Sequence, residues 1–164
     1  MIVITRQEFT RLVELFSGTV FRTALCYTKN KQDADDIMQD VFLKLYTYEK
    51  EFESDEHVKA WLIRVTANRC KNLLKSLSYR LSEPIEKAEN IPAYEQGENG
   101  LLSVITELNP KVRAAMYMFY YEGYSVKEIA FITGEKETTI TTRLSRGRKQ
   151  LKKLLLKGGY YELQ

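Results

Sequence analysis

The sequence predicts an all-α fold of two small helical domains joined by an acidic linker, and three observations support this. Glycine and proline are scarce, at 8 and 3 of 164 residues, which disfavours a turn-rich β fold. Apolar residues recur at spacings of three and four through most of the chain. From Ser78 to Gly100 that periodicity fades into a polar run punctuated by Pro84, Pro92, Gly97 and Gly100. A loop of that length within one compact domain is unusual, so it reads as a linker, a long ordered surface loop being the alternative. The domains are expected at 1–77 and 101–164, with the linker at 78–100.

In the first domain Thr5 and Glu8 have capping-box spacing, ahead of Phe9, Leu12, Val13 and Phe16. Ser17, Gly18 and Thr19 are expected to interrupt this helix. A second carries Val20, Phe21, Ala24 and Leu25 and ends near Asn30. The third starts at Lys31 to Asp33, with Asp33, Asp35 and Asp36 favouring its dipole. Its core set is Ile37, Met38, Val41, Phe42, Leu45 and Tyr46, which leaves Asp36, Gln39, Asp40 and Lys44 on or near the free face. Glu49 to Glu56 is a charged connection containing Phe52. That ring either tucks onto the core, the reading composition favours, or offers a stacking platform to a base. Ser54 or Asp55 caps a long helix through Trp61, Leu62, Val65, Leu73, Leu74 and Leu77, with Trp61 on the core side. The opposite surface shows Arg64, Asn68, Arg69, Lys71, Asn72 and Lys75, side chains suited to phosphates and exposed bases.

In the second domain Leu101 to Leu108 suggests a short helix. Asn109 caps the next, with Pro110 in the first position, where a missing N–H costs nothing. Tyr117, Tyr120 and Tyr121 are expected at core edges, and Gly123 ends that helix. Ser125 and Glu128 form a capping box for a helix with Val126, Ile129, Ala130 and Phe131 or Ile132 inward. Gly134 stops it, and a last helix runs from about Thr138, burying Ile140, Leu144, Leu151, Leu154 and Leu155. Two helices across a tight glycine turn make a helix-turn-helix. The last helix carries Arg143, Arg146, Arg148, Lys149, Lys152, Lys153 and Lys157 and no acid from Thr138 to Lys157. A basic amphipathic helix is often only a solvated face, or a membrane-surface or partner-binding one. The capped short helix, the glycine stop and the Thr-rich entry favour the DNA major groove.

Net charge is only +3, yet 78–100 holds Glu83, Glu86, Glu89, Glu95 and Glu98 against Arg80 and Lys87. This acidity either keeps the linker off DNA or imitates DNA against a basic channel. Cys26 and Cys70 fit structural thiols, and the single histidine, His57, lacks a partner at metal spacing and suits a helix start or the surface. No phosphate-binding, dinucleotide, zinc-protease or nucleophile-elbow motif is present, so no catalytic residue, metal or cofactor is expected. No signal-peptide profile or membrane-length apolar run is seen, which leads to the expectation of a cytoplasmic protein without membrane insertion.

Three stretches together resemble the extracytoplasmic-function sigma factors of the sigma-70 family: Asp33–Tyr46, Val58–Leu74, and Tyr124 to Leu151 with its Arg143-Leu-Ser-Arg-Gly-Arg core. The resemblance covers about Glu8 to Leu156. It implies a sigma-2 and a sigma-4 domain, core RNA polymerase (β′ and β subunits) and promoter DNA as partners, and an anti-sigma factor. By the same resemblance Asp36, Gln39 and Asp40 face the polymerase. The −10 element falls to Phe52, Arg64, Asn68, Arg69, Lys71 and Asn72, which reverses the preference for a tucked Phe52. Lys127, Thr141, Thr142, Arg143, Ser145 and Arg146 meet the −35 element, with Glu128 near the backbone. Four positions depart from the family pattern. Asn72 stands where Asp is common. Gly147 replaces the usual Ala, which is expected to loosen the last helix by up to about 1 kcal/mol. Thr141 and Thr142 are uncommon base readers. A stand-alone helix-turn-helix regulator on an operator is the rival reading; it leaves the first two stretches without a purpose. A protein-binding helical module would show no salt-dependent DNA affinity.

Overall fold

The computed structural model describes residues 1–80 and 107–157. The chain divides into two compact units, Met1–Glu89 and Asn90–Gln164. The expected linker lies outside the described residues apart from the last turn of one helix, and so does most of the helix expected at Leu101–Leu108.

The first unit contains α1 (Arg6–Thr28), α2 (Lys31–Tyr46) and α3 (Asp55–Arg80). Thr5 caps α1 by accepting the Glu8 N–H at 3.1 Å. The capping box is not closed, because the Thr5 N–H goes to the Val3 carbonyl and Glu8 accepts from Arg11 instead. The break expected at Ser17–Thr19 does not occur. Leu12, Phe16, Val20, Ala24 and Tyr27 are buried and continue one stripe through it. Burying each large apolar side chain is worth about 1.5–3 kcal/mol, against about 1 kcal/mol for a glycine inside a helix. The buried Thr23 hydroxyl donates to the Thr19 carbonyl at 2.7 Å, so the polar group in the stripe is satisfied.

Lys29, in the left-handed conformation at φ 54°, ends α1, and Asn30 immediately caps α2 by accepting the Asp33 N–H at 3.0 Å. Ser54, not Asp55, caps α3, its hydroxyl accepting the His57 N–H at 3.2 Å. Asp55 instead receives both terminal nitrogens of Arg11, at 3.0 and 2.7 Å, which ties the starts of α1 and α3 together. Val58, Leu62, Ile63, Ala67 and Cys70 form the buried side of α3. Trp61 is half-buried, 4.9 Å from the Tyr48 ring and 5.6 Å from Phe52.

The second unit contains α4 (Pro110–Tyr120), α5 (Val126–Thr133) and α6 (Glu137–Lys157) among the described residues. Asn109 accepts the Lys111 N–H at 3.1 Å with Pro110 opening α4. Buried Arg113 donates to the Leu108 carbonyl at 2.6 Å and fixes the approach to α4. Both arms of the Ser125–Glu128 capping box are made, at 3.1 Å each. Gly134, at φ 70°, turns α5 toward α6. Ile132 is the residue turned inward, and Phe131 is exposed. Ile140 and Leu144 are fully or nearly fully buried, whereas Leu151, Leu154 and Leu155 are only half-buried, so the buried face of α6 is confined to its first half. Gly147 is also buried. A Cβ there would lie 2.8 Å from Met116 Sδ, 2.9 Å from its Cγ and 3.0 Å from Val112 Cγ1. The glycine expected to loosen α6 is what allows α4 and α6 to approach so closely.

Candidate nucleic-acid and polymerase interfaces

On the first unit the expected residues converge on one groove. α2 and α3 enclose about 260 Å³ lined by Asp33, Asp36, Ile37, Asp40, Arg69, Asn72, Leu73 and Ser76. Asp36 and Asp40, expected to face a protein, thus lie beside Arg69 and Asn72, expected to face DNA. Arg69 forms an ion pair with Asp40 across the groove. Burial, with Asp36 adding to it, holds the Asp33 carboxyl above the usual carboxylate range. Gln39 is exposed on α2, and one turn further Leu43 and Tyr46 expose large apolar surfaces, at 64% and 54%. Tyr46 was expected in the core; it is exposed, its ring 5.1 Å from that of Phe9. Leu43 escaped sequence reasoning, although it falls outside the Ile37, Val41, Leu45 stripe, and an apolar residue off the stripe is the available signal.

Arg64, Asn68 and Asn72 are exposed and recur every fourth residue, so they form one line along α3. Lys71 is half-buried beside that line. Phe52 is not on this surface. It is wholly buried. Ile2 and Phe52 exchange backbone hydrogen bonds at 2.6 and 2.9 Å as an isolated antiparallel bridge. The Tyr48 ring stacks on Phe52 at 4.7 Å, with the edges of His57 and Trp61 completing its enclosure. A ring enclosed in this way presents no face for stacking, so the tucked reading describes Phe52 and the stacking platform does not.

On the second unit Lys127, Thr141, Thr142 and Arg146 are exposed and Ser145 is half-exposed. Arg143 differs from its neighbours: it is paired with Glu135 at 3.2 Å and its side chain is only 17% exposed. It thereby joins the turn to the helix. The Thr141 and Thr142 hydroxyls donate back to the Glu137 and Thr138 carbonyls at 3.0 and 2.9 Å. Arg148 donates to the Tyr120 hydroxyl at 3.0 Å; Tyr120 and Tyr121 are exposed, not core edges as expected.

Neither cysteine is in a disulfide, and burial pushes the Cys70 thiol far up, as befits a packing role. Among the described residues no group of acids, histidines or cysteines could hold a metal, and no helix is long and apolar enough to cross a membrane.

A helical unit followed by a separate basic helix-turn-helix defines the class of all-α transcription proteins. Residues 12–79 match the family description "Sigma-70 region 2" and residues 99–151 match "Sigma-70, region 4". The chain is 27% identical over 153 residues to the extracytoplasmic-function sigma factor SigM of Mycobacterium tuberculosis, covering 92% of this chain and 78% of that one. It is 26% identical over 170 residues to SigW of Bacillus subtilis, covering 92% and 90%. In fold it is similar to the sigma factor RpoE of Bartonella quintana, solved with the anti-sigma factor NepR, at a TM-score of 0.67 and 20% identity over 91% of this chain and 97% of that one. It is also similar to CnrH, solved with the cytosolic domain of CnrY, at 0.66 and 23% identity over 92% and 89%. The chain belongs to the sigma-70 family of RNA polymerase sigma factors, in its extracytoplasmic-function class. It directs transcription initiation and does no covalent chemistry.

Proposed function

We propose that α2 docks on core RNA polymerase through Asp36, Gln39 and Asp40, with Leu43 adding apolar area. The line Arg64, Asn68, Asn72 on α3, flanked by Arg69 and Lys71, takes the opened −10 strand. The first half of α6, with Lys127 of α5, reads the −35 element, where Thr141, Thr142, Ser145 and Arg146 reach the groove and Arg143 braces the motif. The single observation that carries this reading is the exposed Arg64–Asn68–Asn72 line opposite a fully buried α3 face. Amide and guanidinium groups at one-turn spacing suit an unstacked strand, whose capture offsets an unpairing cost of a few kcal/mol. The protein works in the cytoplasm beside the polymerase, and an anti-sigma factor of the kind seen with RpoE is its expected regulator. A stand-alone operator-binding role leaves the region 2 match without a use.

The test is a pull-down with bacterial core polymerase, then run-off transcription from a pool of genomic fragments. The expected result is one-to-one binding and new specific transcripts. Failure to bind polymerase, with tight duplex binding by the protein alone, would overturn the reading. Asn68→Ala is expected to impair open-complex formation more than duplex binding; equal losses would remove Asn68 from strand capture.

A further inference from the structure

One exposed arginine of α6 is held in place by a neutral group. Arg148 donates to the Tyr120 hydroxyl at 3.0 Å and has no carboxylate partner among the described residues. Arg11, Arg69 and Arg143, by contrast, each hold a carboxylate. The acid nearest to Tyr120 in the sequence is engaged elsewhere: Glu122 accepts from the Tyr117 hydroxyl at 2.5 Å. α6 itself supplies no acid from Thr138 to Lys157. The guanidinium is therefore fixed without being neutralised. A hydroxyl that accepts through its oxygen keeps its own proton to donate. Tyr120 and Arg148 thus offer an O–H and N–H groups side by side. Tyr120 is exposed, and its ring lies edge-on to Phe119 at 4.9 Å and 77°.

The pair sits at the edge of the outward arc of α6. Thr141, Ser145, Arg148 and Lys152 recur at intervals of four, three and four, so they form one line along the helix. Arg143 and Arg148 are roughly 140° apart around the helix, with buried Leu144 and Gly147 on the arc between them. Arg143 is drawn to Glu135 at one edge and Arg148 to Tyr120 of α4 at the other. Thr141, Thr142, Ser145 and Arg146 occupy the outward arc that remains.

We propose that Tyr120 and Arg148 form a phosphate clamp on the promoter duplex beside the −35 element, one backbone phosphate accepting an N–H of Arg148 and the O–H of Tyr120. This rests on the reading above that α6 enters the −35 groove. A helix in the major groove turns its middle to base edges and its flanks to the groove walls, which are lined by phosphates. Tyr120 holds Arg148 at the flank, so the pair meets a wall and not a base. An acidic protein surface also suits an arginine without an acid, but the line shared with Thr141 and Ser145 selects the duplex. The clamp contributes affinity independent of sequence and fixes how α6 lies in the groove.

The test uses holoenzyme assembled from core polymerase and the full chain. It binds promoter duplexes in which single phosphates around the −35 element are replaced in turn by uncharged methylphosphonates. Tyr120→Phe keeps the ring against Phe119 and removes only the hydroxyl. Tyr120→Phe and Arg148→Ala are each expected to weaken binding roughly two- to tenfold on every −35 sequence, the range of one net hydrogen bond. Arg148→Ala also lowers the slope of log affinity against log salt by about 1, and Tyr120→Phe, which removes no charge, leaves it. One neutral linkage weakens the wild type and has little further effect on either variant. Polymerase affinity and −35 preference stay unchanged. Losses that add at every linkage overturn the inference and make the pair a brace between α4 and α6. Weaker polymerase binding with an unaltered linkage profile overturns it in favour of an acidic protein surface. The −35 reading stands in both cases. A wild-type holoenzyme with no −35 preference overturns that reading itself, and the clamp with it.

Discussion

Asp40 of α2 and Arg69 of α3 form an ion pair across the groove between the two helices. The pair joins a carboxylate assigned to the polymerase with a guanidinium assigned to DNA. Both side chains are about half exposed, at 48% and 50%, and exposed pairs contribute only about 0–1 kcal/mol. Asp40→Asn is therefore expected to lower stability by less than about 1 kcal/mol in a urea titration while measurably weakening polymerase binding. A large loss of stability with polymerase affinity intact would make the pair a structural brace only.

The Arg11–Asp55 pair sets an acid limb for the first unit. Hydrogen bonding from Arg11 holds the Asp55 carboxyl below the usual carboxylate range. Its contribution is therefore fully present above the unfolded value near pH 4 and is lost as pH falls through the lower folded value. Arg11→Ala is expected to flatten the dependence of stability on pH below about pH 4, with little change in its shape near neutrality. Denaturant titrations from acid to neutral pH check this; identical slopes in both proteins would contradict it.

Gly147→Ala sets helix propensity against packing. Propensity alone favours alanine by about 1 kcal/mol. The new Cβ meets Met116 and Val112 inside van der Waals distance, and overpacking costs about 1–3 kcal/mol. The stiff Val112 side chain limits relief. The variant is expected to melt at a lower temperature than the parent; a higher melting temperature would show that Met116 moves aside freely.

Arg143→Ala is expected to separate bracing from reading. With its guanidinium on Glu135, its loss lowers the melting temperature and weakens promoter binding to a similar degree on every −35 sequence. Arg146→Ala, by contrast, leaves melting unchanged and alters −35 preference, because Arg146 is exposed. Promoter selections on both variants compare them directly. A changed −35 preference in Arg143→Ala would return that residue to base reading.

Helix ends were legible in the sequence. Thr5, Asn109 and the Ser125–Glu128 box were identified from residue type, and their partners lie two or three positions away. Such bonds depend on local backbone alone. Gly18 was misread for the converse reason: a residue with weak helix propensity suggested a break, and only the buried stripe through Phe16 and Val20 shows why the helix continues. Likewise Gly147 looked like a local weakness until Met116 was seen against it.

Sequence by itself determined the helical class, the caps, the basic last helix and the family, because these follow from patterns with periods of three to four residues and from motif order. Tertiary structure decided that Phe52 is buried under Ile2, that Arg143 is spent on Glu135 and that Asp40 meets Arg69. Most of those outcomes turn on which distant surface a side chain meets: Asp40 and Arg69 stand 29 residues apart. The free energy of each contact depends on desolvation and direction, which a linear pattern does not contain.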